Sequence, residues 1–507
     1  MPSSNLRSAA EAWLAVDPDP ETRAELEAIL DDENALEARF AERLNFGTAG
    51  LRGELGAGPN RMNRVVVAQA ALGLSNFLGG RGTLVVGYDG RVNSAVFARD
   101  TAELAAAAGL EVLLFDRMVP TPVLAFAVKH LGAAAGVMVT ASHNPPRDNG
   151  YKVYLGGDNG GGQIVSPTDE QIQAEILKVA ASTEPWPRSE NYAMIGSDVI
   201  NAYLVRALEV VGPRGSKQPK IVYTAMHGVG WPFASVLFEA AGFSDIHSVA
   251  EQQEADGSFP TVAFPNPEEP GALDLALAEF DRTGADLILA NDPDADRLAV
   301  VIRDTDGSAR RLTGNEVGLI LGEWVARKSE RGALACSLVS SDQLKAVAAA
   351  HSLGFSQTKT GFKWISKVPG LVFGFEEALG YCIDPSVVPD KDGISAALAV
   401  ATIASEVNLI DFLGELYEKY GHVSTQQVSL RFESVAEAQL AFKRATAGMV
   451  DDDGMVTWIP TEGEKVIFRV SGTEPKLKCY LQVSDSSADD ATNRILELEK
   501  SLRKLLV

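Results

Sequence analysis

An apolar pentapeptide, Ala135-Gly136-Val137-Met138-Val139, runs without a break into the polar, proline-punctuated segment Thr140-Ala141-Ser142-His143-Asn144-Pro145-Pro146-Arg147-Asp148-Asn149-Gly150-Tyr151-Lys152. The first reads as a buried strand and the second as the loop at its carboxyl end. Upstream, the pattern predicts strands at 83–88 and 112–115 and helices at 96–108 and 122–131. Alternation at this pitch implies a mostly parallel α/β sheet, whose ligands bind outside the carboxyl ends of the strands. Ser142, flanked by His143 and Asn144 with Lys152 ten residues on, puts a nucleophile, hydrogen-bond donors and a cation on one loop. That points to phosphoryl chemistry at Ser142. A hydrolase elbow would need glycine two residues either side of the serine, where Thr140 and Asn144 stand. Asp89-Gly90-Arg91 ends the strand 83–88 on the same edge.

A second α/β unit follows a Pro/Gly/Ser/Lys connection within 196–220, with strands at 220–223 and 285–290 and helices at 231–241 and 272–280. Its last strand opens into Asn291-Asp292-Pro293-Asp294-Ala295-Asp296-Arg297. Three carboxylates at alternate positions repel one another unless a cation binds, and oxygen ligands alone favour a hard divalent ion, Mg²⁺ by default. A calcium EF-hand would need glycine sixth and glutamate twelfth, where Arg297 and Arg303 stand. By analogy with the haloacid dehalogenases, a phosphatase using an aspartate nucleophile would end its D-x-D-x pattern in Thr or Val, where Asp296 stands. His227, beside Gly228, is read as part of a structural turn.

A third unit carries helices at 315–328 and 344–350 and a strand at 333–339. Within it, Thr358-Lys359-Thr360-Gly361-Phe362-Lys363 ends a short strand with a cation on a turn, and Gly374-Phe375-Glu376-Glu377-Ala378 follows the apolar strand 371–373. Paired carboxylates there suit vicinal sugar hydroxyls. The last segment, from about residue 424, is α+β and contains Arg469-Val470-Ser471-Gly472-Thr473-Glu474-Pro475-Lys476. Glycine lets backbone N–H groups converge, hydroxyls donate and Arg469 offers a fork, so this loop suits a phosphate dianion. Residues 8–40 read as two amphipathic helices, the second capped by Asp19 with Pro20 at its first position. The segment Gly156–Gly162 lacks a P-loop's G-K-[ST] and reads as a flexible surface turn.

Length and charge bound the rest. With 507 residues, three or four domains are expected, placed at 1–198, 199–309, 310–423 and 424–507. The 68 acidic and 45 basic side chains leave −23, which disfavours nucleic acid and anionic membranes and requires a local cationic cluster for an anionic substrate. Cys336, Cys382 and Cys479 lie far apart without metal-ligand spacing, as reduced buried thiols do in a cytoplasmic protein. The N-terminus does not read as a signal peptide, and no apolar run approaches the roughly 18 residues of a membrane span.

The hexapeptide T-A-S-H-N-P at 140–145 resembles the phosphoserine loop of the α-D-phosphohexomutases, and the other motifs resemble that family in order and spacing along nearly the whole chain. The resemblance implies three mixed α/β domains and a C-terminal α+β domain around a central cleft. It implies Asp292, Asp294 and Asp296 as Mg²⁺ ligands with an oxygen of phosphorylated Ser142 as the fourth, and Arg52 of Gly50-Leu51-Arg52-Gly53 facing the serine. It implies contacts to sugar phosphate from Arg297, Thr360, Gly361, Glu376 and Glu377, and a phosphate grip from Arg469, Ser471, Gly472, Thr473 and Lys476. Its activity would move a phosphoryl group between C1 and C6 of a hexose phosphate, primed by a sugar bisphosphate. Lys363, Lys152, His143 and Arg52 are all candidates for proton transfer and charge stabilisation. The motifs G-T-A-G-L-R, T-G-F-K-W, F-E-E-A-L-G-Y and D-K-D-G look like the branch with phosphopentomutases, glucose-1,6-bisphosphate synthases and some bacterial phosphoglucomutases. Two departures from the phosphomannomutase/phosphoglucomutase pattern stand out: Phe362 replaces its histidine and Ala378 its serine, so hexose specificity is open against ribose phosphate or bisphosphate synthesis. A sugar-phosphate-binding regulator is the non-enzyme alternative, which the intact serine and aspartates argue against. Oligomeric state is not readable from these motifs.

Overall fold

The computed structural model describes residues 4–182, 185–451, 454–470 and 475–506. Among them are four sheets in chain order. The first has the spatial order Leu51–Glu54, Asp148–Leu155, Ala135–Val139, Thr83–Tyr88, Glu111–Phe115 and Ala193–Ile195. Its last four strands are parallel, and the first two are antiparallel to their neighbours. The parallel part follows from apolar strands separated by helices, since buried strands need cover on both faces. The antiparallel pair corrects one expectation. Lys152 is on a strand, not on the serine loop: residues 148–155 turn straight back along the preceding strand, pairing Met138 with Lys152. Six of those eight residues are buried, because the strand lies between two others.

The second sheet orders Ala309–Arg311, Leu298–Arg303, Leu287–Asn291, Ile221–Thr224 and Ile246–Ser248, and the third Gly354–Thr358, Ala333–Ser337, Leu371–Glu376 and Gly380–Cys382. Both are parallel at one end and antiparallel at the other. The fourth, His422–Arg431, Lys476–Asp485, Glu464–Val470 and Met455–Trp458, is wholly antiparallel. It buries one face under helices Val435–Ala445 and Ala488–Leu506, with Val428, Phe442, Phe468, Leu481 and Leu498 in its own core.

The first three units share a core. One continuous apolar cluster runs from Val85 to Leu416, crossed by helix Gly393–Glu406, which packs on helices and strands of the second and third units. That helix and the next, Leu409–Tyr420, fill a stretch for which the sequence suggested no element. Among the described residues no single helix is long and apolar enough to cross a membrane.

Two further expectations change. Residues 4–40 form three helices, Ser4–Val16, Pro20–Ala28 and Glu33–Phe40, because Asp32 adds a second cap, accepting from Ala35 N at 3.0 Å; Asp19 caps the middle helix as expected. The glycine segment 156–162 is docked rather than a free surface turn: Gly161 and Gly162 are buried, and Lys367 of the third unit donates to Asn159 O and Oδ1 at 2.5 Å each.

Candidate active site

The strand Ala135–Val139 delivers Ser142 in the left-handed region, φ 53°, and 2% exposed. Its N–H donates to Thr140 Oγ1 at 2.8 Å. Its Oγ lies 3.1 Å from His143 Nδ1 and donates to Asp292 Oδ2, also at 3.1 Å. Burial, reinforced by the charges of Arg297 and Arg52, keeps the His143 imidazole well below its usual titration range, hence neutral.

Opposite the serine, strand Leu287–Asn291 ends in a tight turn with Ala295 at φ 54°. Asp292, Asp294 and Asp296 are all buried, with carboxylate oxygens within 4.8 Å of one another. Each gives at least one oxygen to a protein donor. Asp292 Oδ1 accepts from Arg297 N at 2.9 Å; Asp294 Oδ2 accepts from Lys152 Nζ at 2.7 Å and from Thr121 Oγ1; Asp296 Oδ2 accepts from Lys152 at 2.9 Å. The other oxygens of Asp294 and Asp296 are buried with no partner among the described residues, and the second oxygen of Asp292 accepts from Ser142 Oγ. Buried acceptors without donors are costly. A hard divalent cation fits this all-oxygen set, and Ser142 Oγ stands beside it. Burial, then the charges of Asp294 and Asp296, push Asp292 well above the usual carboxylate range. Burial acts the same way on Asp296, but Lys152, Lys391 and Arg297 outweigh it and hold that group ionised. Lys152 is thus a buried counter-ion for the aspartates.

His143, Arg52, Arg297 and Lys391 form a wall between this buried centre and a cleft of about 800 Å³. The cleft is also lined by Thr360, Gly361, Lys363, Glu376, Glu377, and Arg469. Lys363 donates to Thr48 Oγ1 across the first and third units, and burial lowers its pKa. The two glutamates differ. Glu377 Oε2 accepts from Ser337 Oγ at 2.9 Å and Ser340 Oγ at 3.0 Å, whereas Glu376 faces the charges of Lys391 and Arg297. Phe362, where an imidazole was in question, is 3% exposed and packs with Ala335, Ile365 and Cys382. Lys476 opens the strand beside Arg469; Ser471, Gly472 and Thr473 lie outside the described residues.

Several residues of the site were given no role by the sequence, although Asp390 and Lys391 stand in its D-K-D-G motif. Thr121 and Lys391 reach the aspartate loop from far along the chain, and Asp390 Oδ2 accepts from Tyr154 OH and Gln163 Nε2 at 2.7 Å each. Asn266 and Glu268 line the cleft, Glu268 at 3.3 Å from Arg297. The charged run Asp390-Lys391-Asp392 ahead of an apolar stretch was the available signal, since it promised buried charge; the proline-bounded Asn266 carried none.

Comparison with known proteins agrees with this architecture. Models of the phosphoglucomutase/phosphomannomutase α/β/α domains I, II and III match residues 43–183, 201–307 and 313–420. A "Probable phosphomannomutase" of Haemophilus influenzae is 45% identical over 88% of this chain and 98% of its own length, and the human phosphopentomutase is 34% identical over 97% and 93%. The crystal structure of a phosphoglucomutase/phosphomannomutase family protein from Burkholderia thailandensis, 21% identical, superposes with a TM-score of 0.71 over 91% of this chain and 97% of that one, which supports the fold. The chain therefore belongs to the α-D-phosphohexomutases, enzymes that catalyse intramolecular phosphoryl transfer.

Proposed function

We propose that this phosphomutase moves a phosphoryl group between C1 and C6 of glucose or mannose phosphate, with Ser142 as carrier and a sugar 1,6-bisphosphate as intermediate and primer. The observation that carries the reading is Ser142 Oγ, held 3.1 Å from both His143 Nδ1 and Asp292 Oδ2 behind a cleft that Arg52, Arg297, Lys363 and Arg469 line. Mg²⁺, held by Asp292, Asp294 and Asp296 with an oxygen of phosphorylated Ser142, would offset charge on the transferring phosphoryl oxygens.

The free hydroxyl of a sugar monophosphate attacks phosphorus, and its new O–P bond forms as the P–Oγ bond of Ser142 breaks. The hydroxyl proton passes to a base in the cleft, and Ser142 Oγ takes one up. Among the acid/base candidates, His143 touches Oγ: neutral beside the free serine, it takes the Oγ proton when Ser142 is phosphorylated and returns it when Oγ leaves, and Lys363 serves the sugar side. Lys152, bound by Asp294 and Asp296, keeps its proton and contributes charge, and Arg52 steadies the phosphoryl oxygens. Glu376 and the free oxygen of Glu377 accept from vicinal hydroxyls, while Arg469, Ser471, Gly472, Thr473 and Lys476 grip the phosphate that stays. The bisphosphate then turns round, for which a cleft of about 800 Å³ gives room, and Ser142 recovers the other phosphate.

Ribose phosphate is the second reading, favoured by Ala378 in the cleft and Phe362 in the core, which remove a hydroxyl and an imidazole from the sugar side. Bisphosphate synthesis stands beside it. Turnover of ribose 1-phosphate against glucose 1-phosphate and mannose 1-phosphate separates these readings. A cytoplasmic location accords with three free, buried cysteines. The carrier role is checked by intact mass: wild-type protein should carry one phosphate on Ser142 that sugar phosphate discharges, and Ser142→Ala should bind sugar phosphate without turnover. Wild-type turnover in that variant would refute the assignment.

A further inference from the structure

Arg91, noted in the sequence only for its place on the sheet edge, sits directly behind the serine. It is 4% exposed, and its guanidinium donates to four backbone carbonyls of one loop: Nη2 to Ser142 O and Asn144 O at 2.7 Å each, Nη1 to Pro145 O at 2.9 Å and Asp148 O at 3.0 Å. Only its Nε lacks a partner among the described residues, 3.6 Å from Asp89 Oδ2. Asp89 in turn accepts from Arg91 N at 3.1 Å and from Ser94 Oγ at 2.7 Å. A planar fork of N–H donors can satisfy four carbonyls at once; an ammonium has three donors and no plane. The carbonyls belong to a turn with Ser142 in the left-handed region, which L-residues hold only when their surroundings over-determine it.

The far face of the guanidinium is covered from the second unit. The Phe259 ring centroid lies 5.0 Å from Arg91 Cζ, within cation–π range. The segment carrying it is pressed against the Asp89–Arg91 turn: a Cβ on Gly257 would meet Val92 N at 2.6 Å and Gly90 O at 2.8 Å. Phe259 packs with Met226, and the neighbouring His227 is tied to Thr261 Oγ1 at 2.8 Å. Behind the serine there is thus a second bridge between the units that carry the serine and the aspartates, separate from the aspartate loop itself.

We propose that Arg91, braced by Phe259, is a positioning residue for phosphoryl transfer: it holds the loop in the one turn that aims Ser142 Oγ at the aspartate centre. This rests on the carrier role assigned to Ser142. The test uses the full-length enzyme and whichever of glucose 1-phosphate, mannose 1-phosphate or ribose 1-phosphate it turns over. Misplacement by about an ångström costs on the order of 100-fold in rate, so Arg91→Met should lose about that factor in kcat with KM within about threefold. Methylguanidinium, but not sodium chloride at equal ionic strength, should restore part of the loss. Arg91→Lys should lose about tenfold in kcat and Phe259→Leu about fivefold, each with KM unchanged. A folded Arg91→Met variant with wild-type kcat overturns the proposal. Should that variant not fold, wild-type kcat in both Arg91→Lys and Phe259→Leu overturns it equally. Wild-type enzyme without phosphate on Ser142 would instead refute the carrier role.

Discussion

A single hydrogen in place of a methyl group decides how the third unit meets the aspartate loop. A Cβ on Gly393 would lie 2.3 Å from Arg297 O and 2.6 Å from Asn291 Nδ2. Asn291 Nδ2 donates to Arg297 O at 2.6 Å, and Gly393 N itself donates to Ala295 O at 3.2 Å, so the collision falls on the loop that holds Asp292, Asp294 and Asp296. Gly393→Ala is expected to destabilise the protein by about 1–3 kcal/mol through overpacking and to lower kcat at least about tenfold. Thermal unfolding and steady-state kinetics check both; wild-type values would show that the loop can give way. Single residues were legible where reactive types stood at short fixed spacing, as in Ser142-His143 or the three aspartates. Lys152 was misplaced because its partners, Asp294 and Asp296, lie 142 and 144 positions away. Glu376 and Glu377 are the same residue type in sequence, and only Ser337 and Ser340 make one of them a tethered group.

Among elements, three helices of the third unit are joined through one carboxylate. Glu323, with no exposed side-chain surface, accepts from Tyr420 OH at 2.7 Å, Arg327 Nε and His351 Nε2 at 2.9 Å and Lys419 Nζ at 3.2 Å. Burial pushes its pKa up, but the four donors outweigh that and bring it from 4.5 to about 2. A carboxyl group with a depressed folded pKa contributes stability that is present above the unfolded pKa and is lost as pH falls through the folded one. Urea midpoints should therefore drop between pH 4.5 and about 2, and Glu323→Gln should flatten that part of the profile while lowering the midpoint at neutral pH. An equal slope in the variant would assign the acid sensitivity elsewhere. Elements were legible where one face was buried, as in helices Trp231–Ala240 and Val435–Ala445. Helix Gly393–Glu406 is apolar on nearly every side because it is covered on nearly every side, so its sequence has no 3.6-residue period to find.

For the whole molecule, the part that the fourth sheet gives to the cleft depends on how that sheet is held against the third unit. Asp342 contributes to that hold: its carboxylate accepts from Lys465 Nζ at 2.7 Å and Gln482 Nε2 at 3.0 Å of the fourth sheet, and Gln357 Nε2 of its own unit donates to it at 2.7 Å. Lys465 shares a strand with Arg469, which reaches the cleft. Asp342→Ala should raise KM for sugar phosphate about fivefold, roughly 1 kcal/mol, with unchanged circular dichroism. An unchanged KM would mean that the apolar patch of Val339, Ile467 and Tyr480 suffices to seat the sheet. The chain's local patterns, read alone, specified the α/β class, the serine loop at a strand's carboxyl end, the acidic loop and the order of the four motifs, because backbone preference, apolar periodicity and short-range charge repulsion act between near neighbours. They were silent on which lysine neutralises the aspartates, which glutamate is tethered and what stands behind the serine. Those outcomes depend on contacts between residues far apart in the chain, which come within reach only once the three α/β units close on their shared core and bury the charged groups beside one another.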